Sequence, residues 1–253
     1  MRKVFLFLFT ILISTVYAQR HGGNGEIKWL SLSVKGGFGG TMLFNKDVSA
    51  DKNVSQDFLS PSYEYGGRFG LTYGDYIGIG AEVLNGGFSQ DYSIGDGIND
   101  PYTKTQKFKS LDIIFALRFT SPYGFYFEAG PKFSTLKSAS VENSIDGNYT
   151  EDINGDYLLN FSEKFTSIIA GMGFAVYNGD RLQVNLGIRG SYGIGNFQEN
   201  EDFYVLNDGV YIPQGNFTAK TTPFTLKATL EVNYTFAFWG DASCGRGRLM
   251  FFQ

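Results

Sequence analysis

The chain is poor in the residues that most enzymes and small secreted domains rely on. Among 253 residues there is one cysteine, Cys244, and one histidine, His21. A single thiol cannot form an internal disulfide, so cross-links do not hold the fold together. His21, the only imidazole, stands three residues into the expected mature chain and outside every strand, so no Ser-His-Asp, Cys-His or metal-ligand set is expected to form around the usual general base. Proline is scarce, at six residues. Beyond the N-terminus no apolar run approaches the roughly 18 residues that a membrane-spanning helix needs. There is no basic excess either: 21 Lys and Arg stand against 25 Asp and Glu. That balance argues against a general nucleic-acid binder.

The one apolar run lies at the start, MRKVFLFLFTILISTVYAQ. Arg2 and Lys3 form a basic leader, Val4 to Ile13 a short apolar core, and Val16 and Ala18 the small residues that a signal peptidase reads. The run is short for a bilayer span and no stop-transfer pattern follows, so removal before Gln19 is expected over a retained anchor. Removing Arg2 and Lys3 leaves 19 basic residues against 25 acidic ones, a net −6. The expected organisation is a signal peptide over 1–18, an N-terminal periplasmic segment over 19–25, one β-domain over 26–240 and a periplasmic tail over 241–253.

What the chain does have is glycine (33), phenylalanine (25) and tyrosine (16), with apolar and polar residues alternating along eight stretches. This is strand composition and strand period. LQVNLGIRGSYGIG, 182–195, places Leu182, Val184, Leu186, Ile188, Tyr192 and Ile194 on one face and Gln183, Asn185, Arg189 and Ser191 on the other. Similar two-faced stretches begin at Leu30, Tyr63, Tyr76, Ser110, Phe125, Lys164 and Phe224. The sixth, KFTSIIAGMGFAVY, is apolar or small on both sides and its faces are ambiguous. Short turns at Gly74-Asp75, Thr120–Gly124 and Asn178–Asp180 alternate with long polar connections at 45–62, 89–106, 134–162 and 196–221. Asn178-Gly179 is a strong hairpin signal, since both turn positions need positive φ.

Such strands can build a soluble sandwich, apolar face inward, or a membrane barrel, apolar face outward. Three features favour the barrel. The strands run 9 to 14 residues, longer than the five or six usual in soluble sheets and enough to cross a bilayer at a tilt. Short turns at one end and long loops at the other are the asymmetry of outer-membrane barrels. Aromatic residues gather at both strand ends: Tyr73, Tyr76, Phe119, Tyr123, Tyr177 and Trp239 at one, Phe44, Tyr63, Phe133, Tyr192 and Phe224 at the other. The expected fold is an all-β, eight-stranded, antiparallel up-and-down transmembrane barrel.

The polar face then lines the lumen. It carries Lys35, Arg68, Arg118, Lys132, Arg189 and Lys227 against Glu64, Glu82, Asp112, Glu128 and Glu231. Six cations and five anions nearly cancel, as a closed interior requires, because an isolated buried charge is costly. Eight strands leave room for side chains and little else, so the expected lumen is plugged, with an ion path as the alternative. Glu231, one strand away, is the expected partner of Arg189.

These features together resemble a known family. The leader ending in YAQ, the eight amphipathic strands, FYFEAGPKF and LQVNLGIRGSYGIGN are similar to the PorT-like outer-membrane β-barrels of Bacteroidetes, and the architecture is similar to the small OmpA and OmpX barrels. The likeness covers residues 26 to about 238 and rests on strand chemistry. It implies a Gram-negative outer-membrane location; the family includes accessory parts of secretion machinery and many barrels of unknown role.

The remaining motifs are weaker. DGNYTEDINGD, 146–156, is dense in oxygen ligands, but Glu151 and Tyr157 stand where a calcium loop needs its glycine and its bidentate glutamate, so a solvated acidic tip is the simpler reading. A carboxylate-only enzyme would have to use Glu64, Glu82 or Glu128, whose neighbours Arg68 and Lys132 suit structural pairing better. No cofactor is implied, and neither a small-molecule substrate nor a nucleic-acid partner is evident. The tail WGDASCGRGRLMFFQ reads either as a loose, lipid-touching end or as a peptide that docks a periplasmic partner through Cys244, Arg246, Arg248, Leu249, Phe251 and Phe252. The expected role is a non-enzymatic, plugged barrel in contact with outer-membrane lipid, supporting an assembly with other outer-membrane or periplasmic proteins. Adhesion through long acidic, aromatic loops and a narrow channel are the alternatives.

Overall fold

Period-2 alternation produces strands, and in this chain the strands close on themselves. The computed structural model describes residues 27–73, 76–95, 102–145, 148–152, 161–179, 181–198, 204–207, 210–213, 219–241 and 248–252. The leader, His21, most of the 146–156 motif, Cys244 and Arg246 lie outside the described residues.

Eight long strands form the wall: β1 (Ile27–Phe44), β3 (Ser60–Tyr73), β4 (Ile77–Ile94), β5 (Tyr102–Thr120), β6 (Phe125–Ile145), β8 (Lys164–Asn178), β9 (Leu182–Ile194) and β12 (Thr222–Asp241). Each pairs antiparallel with the next, and β12 returns to β1 through a ladder running from Ile27↔Trp239 to Phe44↔Thr222. Closure removes the sheet edges that an open sheet would expose. Shorter elements decorate the long-loop end: a five-residue helix α1 (Lys46–Ala50), β2 (Val54–Gln56), β7 (Asn148–Asp152), and the hairpin β10 (Tyr204–Asn207) with β11 (Val210–Pro213). Asn45 caps α1 by accepting from the Asp47 and Val48 amides at 2.9 and 3.3 Å.

The wall extends further than sequence alternation indicates. The stretches 89–106 and 134–162 were expected as loops, yet β4 and β5 stay paired out to Ile94↔Tyr102, and β5 and β6 out to Thr103↔Ser144. Polar outward residues such as Asp91 and Ser93 hide these extensions, although Tyr92, Ile94, Leu136 and Val141 are buried: outside the lipid belt the outer face has no reason to be apolar, and the two-faced signal fades. β4, β5 and β6 therefore stand well past the apolar belt on one side of the barrel.

The faces are unambiguous. Outward residues are large, apolar and exposed, as in Val34 (71%), Ile79 (58%) and Ile188 (56%). Inward residues are charged or polar and buried. Leu182 to Ile194 therefore present leucine and isoleucine outward while Arg189 is buried. On β8, whose sequence is ambiguous, Ile168 and Met172 face out and Ser167 and Ile169 face in. Of the aromatic residues expected at the two rims, Phe119, Tyr123 and Tyr177 are exposed at the short-turn end, and Phe44, Tyr63, Phe133 and Tyr192 towards the other. The Tyr73 and Trp239 side chains lie outside the described residues.

β6 loses its pairing with β5 at Gly130-Pro131 while keeping that with β8. The β5–β6 ladder has no pairs between Ile114↔Lys132 and Leu117↔Ala129, where Pro131 offers no amide hydrogen. A Cβ on Gly130 would lie 1.9 Å from the Phe115 carbonyl oxygen. Only a glycine allows the two backbones to approach this closely.

The tail also differs from expectation. Residues 248–252, expected as a loose end or a docking peptide, form β13 (Arg248–Phe252), antiparallel to β12 from Ala237↔Phe252 to Asp241↔Arg248. β1 occupies one edge of Ala237–Trp239. β9 uses the other edge only as far as Tyr234. β13 thus covers the edge that β9 vacates, a physical reason for the chain to fold back.

Candidate functional site

All eleven sequence-predicted lumen residues are buried inside the ring. Seven of the eight wall strands contribute: Lys35 from β1, Glu64 and Arg68 from β3, Glu82 from β4, Asp112 and Arg118 from β5, Glu128 and Lys132 from β6, Arg189 from β9, Lys227 and Glu231 from β12. β8 contributes none.

Two arginines organise the centre. Arg189 grips Glu82 with both terminal nitrogens, at 2.7 and 2.9 Å, and donates from Nε to Glu128 Oε1 at 2.8 Å. Arg118 grips Glu231 at 2.7 and 2.6 Å and donates to Glu128 Oε2 at 2.8 Å. Glu128 therefore bridges two planar forks, the geometry in which an Arg–carboxylate pair is strongest. Lys35 Nζ sits among Glu82, Glu128 and Glu231 at 3.4, 3.2 and 3.5 Å. Arg68 lies against Glu82 and Glu231 at 3.4 and 3.6 Å. Towards the long-loop end, Lys227 pairs with Glu64 at 2.7 Å and Lys132 with Asp112 at 3.2 Å. The network ties strands on opposite sides of the barrel to each other.

The expected Arg189–Glu231 pair is not formed. The β9–β12 register places Arg189 beside Lys227 and Glu231 beside Asn185. Arg189 turns away from the like charge and reaches across the lumen, leaving Glu231 to Arg118. Sequence proximity of strands identified the sheet neighbour but not the cross-lumen partner.

Small residues make room for this packing. Tyr126 lies across the lumen with the Arg118 guanidinium 4.4 Å from its ring centroid. Its hydroxyl occupies the space of an absent Cβ on Gly187, which would lie 2.4 Å away. Beside the charges is a dry patch of Leu84, Ile114, Ala116 and Ile169. The doublets Val83-Leu84, Ile113-Ile114 and Ile168-Ile169, which break strict alternation, were its signal in the sequence.

A second tier closes the long-loop end. Leu43, Phe108, Leu136, Ala139, Phe161 and Phe197 form a buried cluster. Phe108 meets Phe161 edge-on at 4.8 Å and Phe197 at 5.3 Å. Phe161 and Phe197 come from the connections, not the wall. They are held in place where the Ser162 amide donates to the Phe197 carbonyl and the Phe197 amide to the Thr221 carbonyl, both at 2.9 Å. Sequence reasoning missed both, because a lone phenylalanine in a polar loop has no periodic context. Between the tiers a cavity of 10 Å³ is lined by Ser110, Asp112, Lys132, Ser167, Thr225 and Lys227. That is room for about one water molecule.

Comparison with known proteins adds likeness of fold only. No family model and no curated relative matches the chain. Among solved structures, the outer-membrane protein OprG of Pseudomonas aeruginosa is similar at 12% identity and a TM-score of 0.42, covering 85% of this chain and 99% of that one. Neisserial surface protein A, NspA, is similar at 9% identity and a TM-score of 0.38, covering 82% and 97%. Ail, the attachment invasion locus protein of Yersinia pestis, is similar at 9% identity and a TM-score of 0.37, covering 81% and 99%.

The lumen carboxylates face arginine and lysine. The described residues contain no group of three or more His, Cys, Asp or Glu placed to hold a metal ion. The network is a cross-brace that fills the barrel.

Proposed function

We propose that this protein is a plugged, non-enzymatic barrel of a Gram-negative outer membrane that serves as a structural or accessory subunit of a larger membrane assembly. The observation that carries the plugged reading is the cross-lumen bridge of Arg189, Glu128 and Arg118, backed by the phenylalanine tier. An eight-stranded barrel has no width to spare, and these side chains use it. The exposed apolar belt supports the membrane setting. The long loops then face the cell exterior and the short turns the periplasm. The accessory role rests on the PorT-like resemblance of the sequence.

Planar-bilayer recording tests the plug. Wild-type protein should give no steady conductance, and Phe197→Ala should give none either, because the charged tier beneath remains closed. Stable ohmic conductance in the wild type would establish the channel reading instead.

Deletion of residues 242–253 tests the accessory role. The ring closes without β13, so the truncated protein should keep its heat resistance yet lose cross-linked outer-membrane or periplasmic partners. An unchanged set of partners would defeat the docking role of the tail.

One observation favours a second reading, contact with other cells or surfaces. β4, β5 and β6 carry the wall beyond the belt as a rigid platform, and loops on rigid scaffolds are where binding concentrates. Removing this extension above the belt should abolish surface attachment while the barrel still inserts.

A further inference from the structure

One side chain breaks the apolar outer face of the barrel. On β4 the exposed outward residues run Ile77, Ile79, Ala81, Val83 and then Asn85. Asn85 sits between Tyr65 of β3 and Leu111 of β5, its two cross-strand partners. Ile77 to Asn85 is eight residues, about 26 Å of strand. At a tilt of about 40° this is about 20 Å of depth, inside an apolar band about 25 Å tall. Among the described residues no other amide or charged side chain is exposed on the outer face of this band. Its remaining polar groups are tyrosine hydroxyls and, at the outer margin, Thr135 and Thr166.

The Asn85 carboxamide has no hydrogen-bond partner among the described residues. Hydrocarbon offers it none, and a polar group left unpaired there is costly. Lysine and arginine escape by extending to the interface, but the asparagine stem is too short. The amide therefore points to a partner that reaches it within the membrane.

The wall around Asn85 is low enough for a close approach. Gly67, its diagonal neighbour on β3, is exposed, and the nearest atom to a would-be Cβ there is 3.6 Å away. Ala81 follows towards the short turns. On the other side Tyr63 lies along the wall over Gly87, where a Cβ would be 2.5 Å from its ring, and stacks on Tyr65 at 6.5 Å. In lipid, close packing at small residues and hydrogen bonds between polar side chains drive association, since the hydrophobic effect does not. Two copies inserted in the same direction are related by a twofold axis along the membrane normal, so one patch meets itself. A carboxamide is both donor and acceptor, and it pairs with its own copy through two reciprocal N–H···O bonds. A single buried asparagine selects partners in coiled coils by the same means.

We propose that the β3–β4 face is a self-association surface within the membrane, where a second copy of this chain meets the first carboxamide to carboxamide at Asn85. The interface rests on the outer-membrane reading, which makes this face lipid-exposed in the monomer.

The test uses the full chain refolded in phosphatidylcholine vesicles, with donor and acceptor dyes on Cys244, the one thiol. Energy transfer is followed as the protein is diluted with lipid. The wild type should associate, and Asn85→Leu should weaken association about tenfold. Asn85→Leu leaves every lumen charge in place, so its heat resistance should match the wild type. Asn85→Gln, which keeps the amide, should retain most of the association. Gly67→Leu, which keeps Asn85 but holds the copies apart, should weaken it. Ala170→Leu, on the opposite wall, should leave it unchanged. Equal association of Asn85→Leu and wild type would overturn the proposal, as would a wild type that inserts and stays monomeric at every dilution. Failure of the wild type to enter vesicles in a heat-resistant form would remove the membrane reading and this interface with it. Heat-resistant insertion as a monomer would remove the interface alone.

Discussion

Glu128→Leu is expected to destabilise the barrel by about 3–5 kcal/mol, because it removes from the interior the one carboxylate that bridges both central arginines and also faces Lys35. Glu128 accepts from Arg189 and Arg118 at 2.8 Å each and faces Lys35 at 3.2 Å. Its loss moves the lumen from six cations and five anions to six and four. Arg189→Leu should cost less, although it also removes a bidentate contact. It leaves five cations with five anions, and Glu82 keeps Lys35 and Arg68, both at 3.4 Å. Leu186→Val, on the outer face, should cost well under 1 kcal/mol, since lipid replaces the lost methylene contacts. The measurement is the temperature at which the compact form converts to the unfolded one on unboiled gels, together with urea titration in vesicles. Equal shifts for Glu128→Leu and Leu186→Val would show that the charges do not brace the barrel.

The second large effect is expected from one methyl group. Gly130→Ala should prevent most of the chain from reaching the heat-resistant form, because its Cβ would sit 1.9 Å from the Phe115 carbonyl oxygen and 3.0 Å from the Ala116 Cα. Those are backbone atoms of the adjacent wall strand, so no side-chain rotation relieves the overlap. β5 and β6 must separate, and inside the belt an opened ladder has no water to satisfy its amides. Gly67→Ala is the matched control. Gly67 faces outward, and the nearest atom to its would-be Cβ is 3.6 Å away, so that variant should fold as the wild type does. The yield of heat-resistant protein on refolding distinguishes the two, and similar yields would remove the argument from close approach.

The same residues show how far sequence reading reaches. Alternation in LQVNLGIRGSYGIG separates a lipid face from a lumen face, and strand length with loop asymmetry chooses the barrel over the sandwich. That logic assigns all eleven lumen charges to the interior without any coordinates. It fails where periodicity carries no signal. The β4–β6 extensions have polar outer faces, Phe161 and Phe197 stand alone in loops, and β13 belongs to a tail with no strand pattern.

Sequence alone thus determined the strands, the two faces and the charge inventory of the lumen. These properties follow from residue type at a period of two, which the chain carries locally. Tertiary structure alone decided which charges pair. Closing eight tilted strands brings together residues from opposite walls, as with Arg189 and Glu82 or Arg118 and Glu231, at sequence separations of 107 and 113. It also decided that two loop phenylalanines join the buried cluster at the long-loop end. Register, curvature and closure are collective properties of the ring, and no window of the chain contains them.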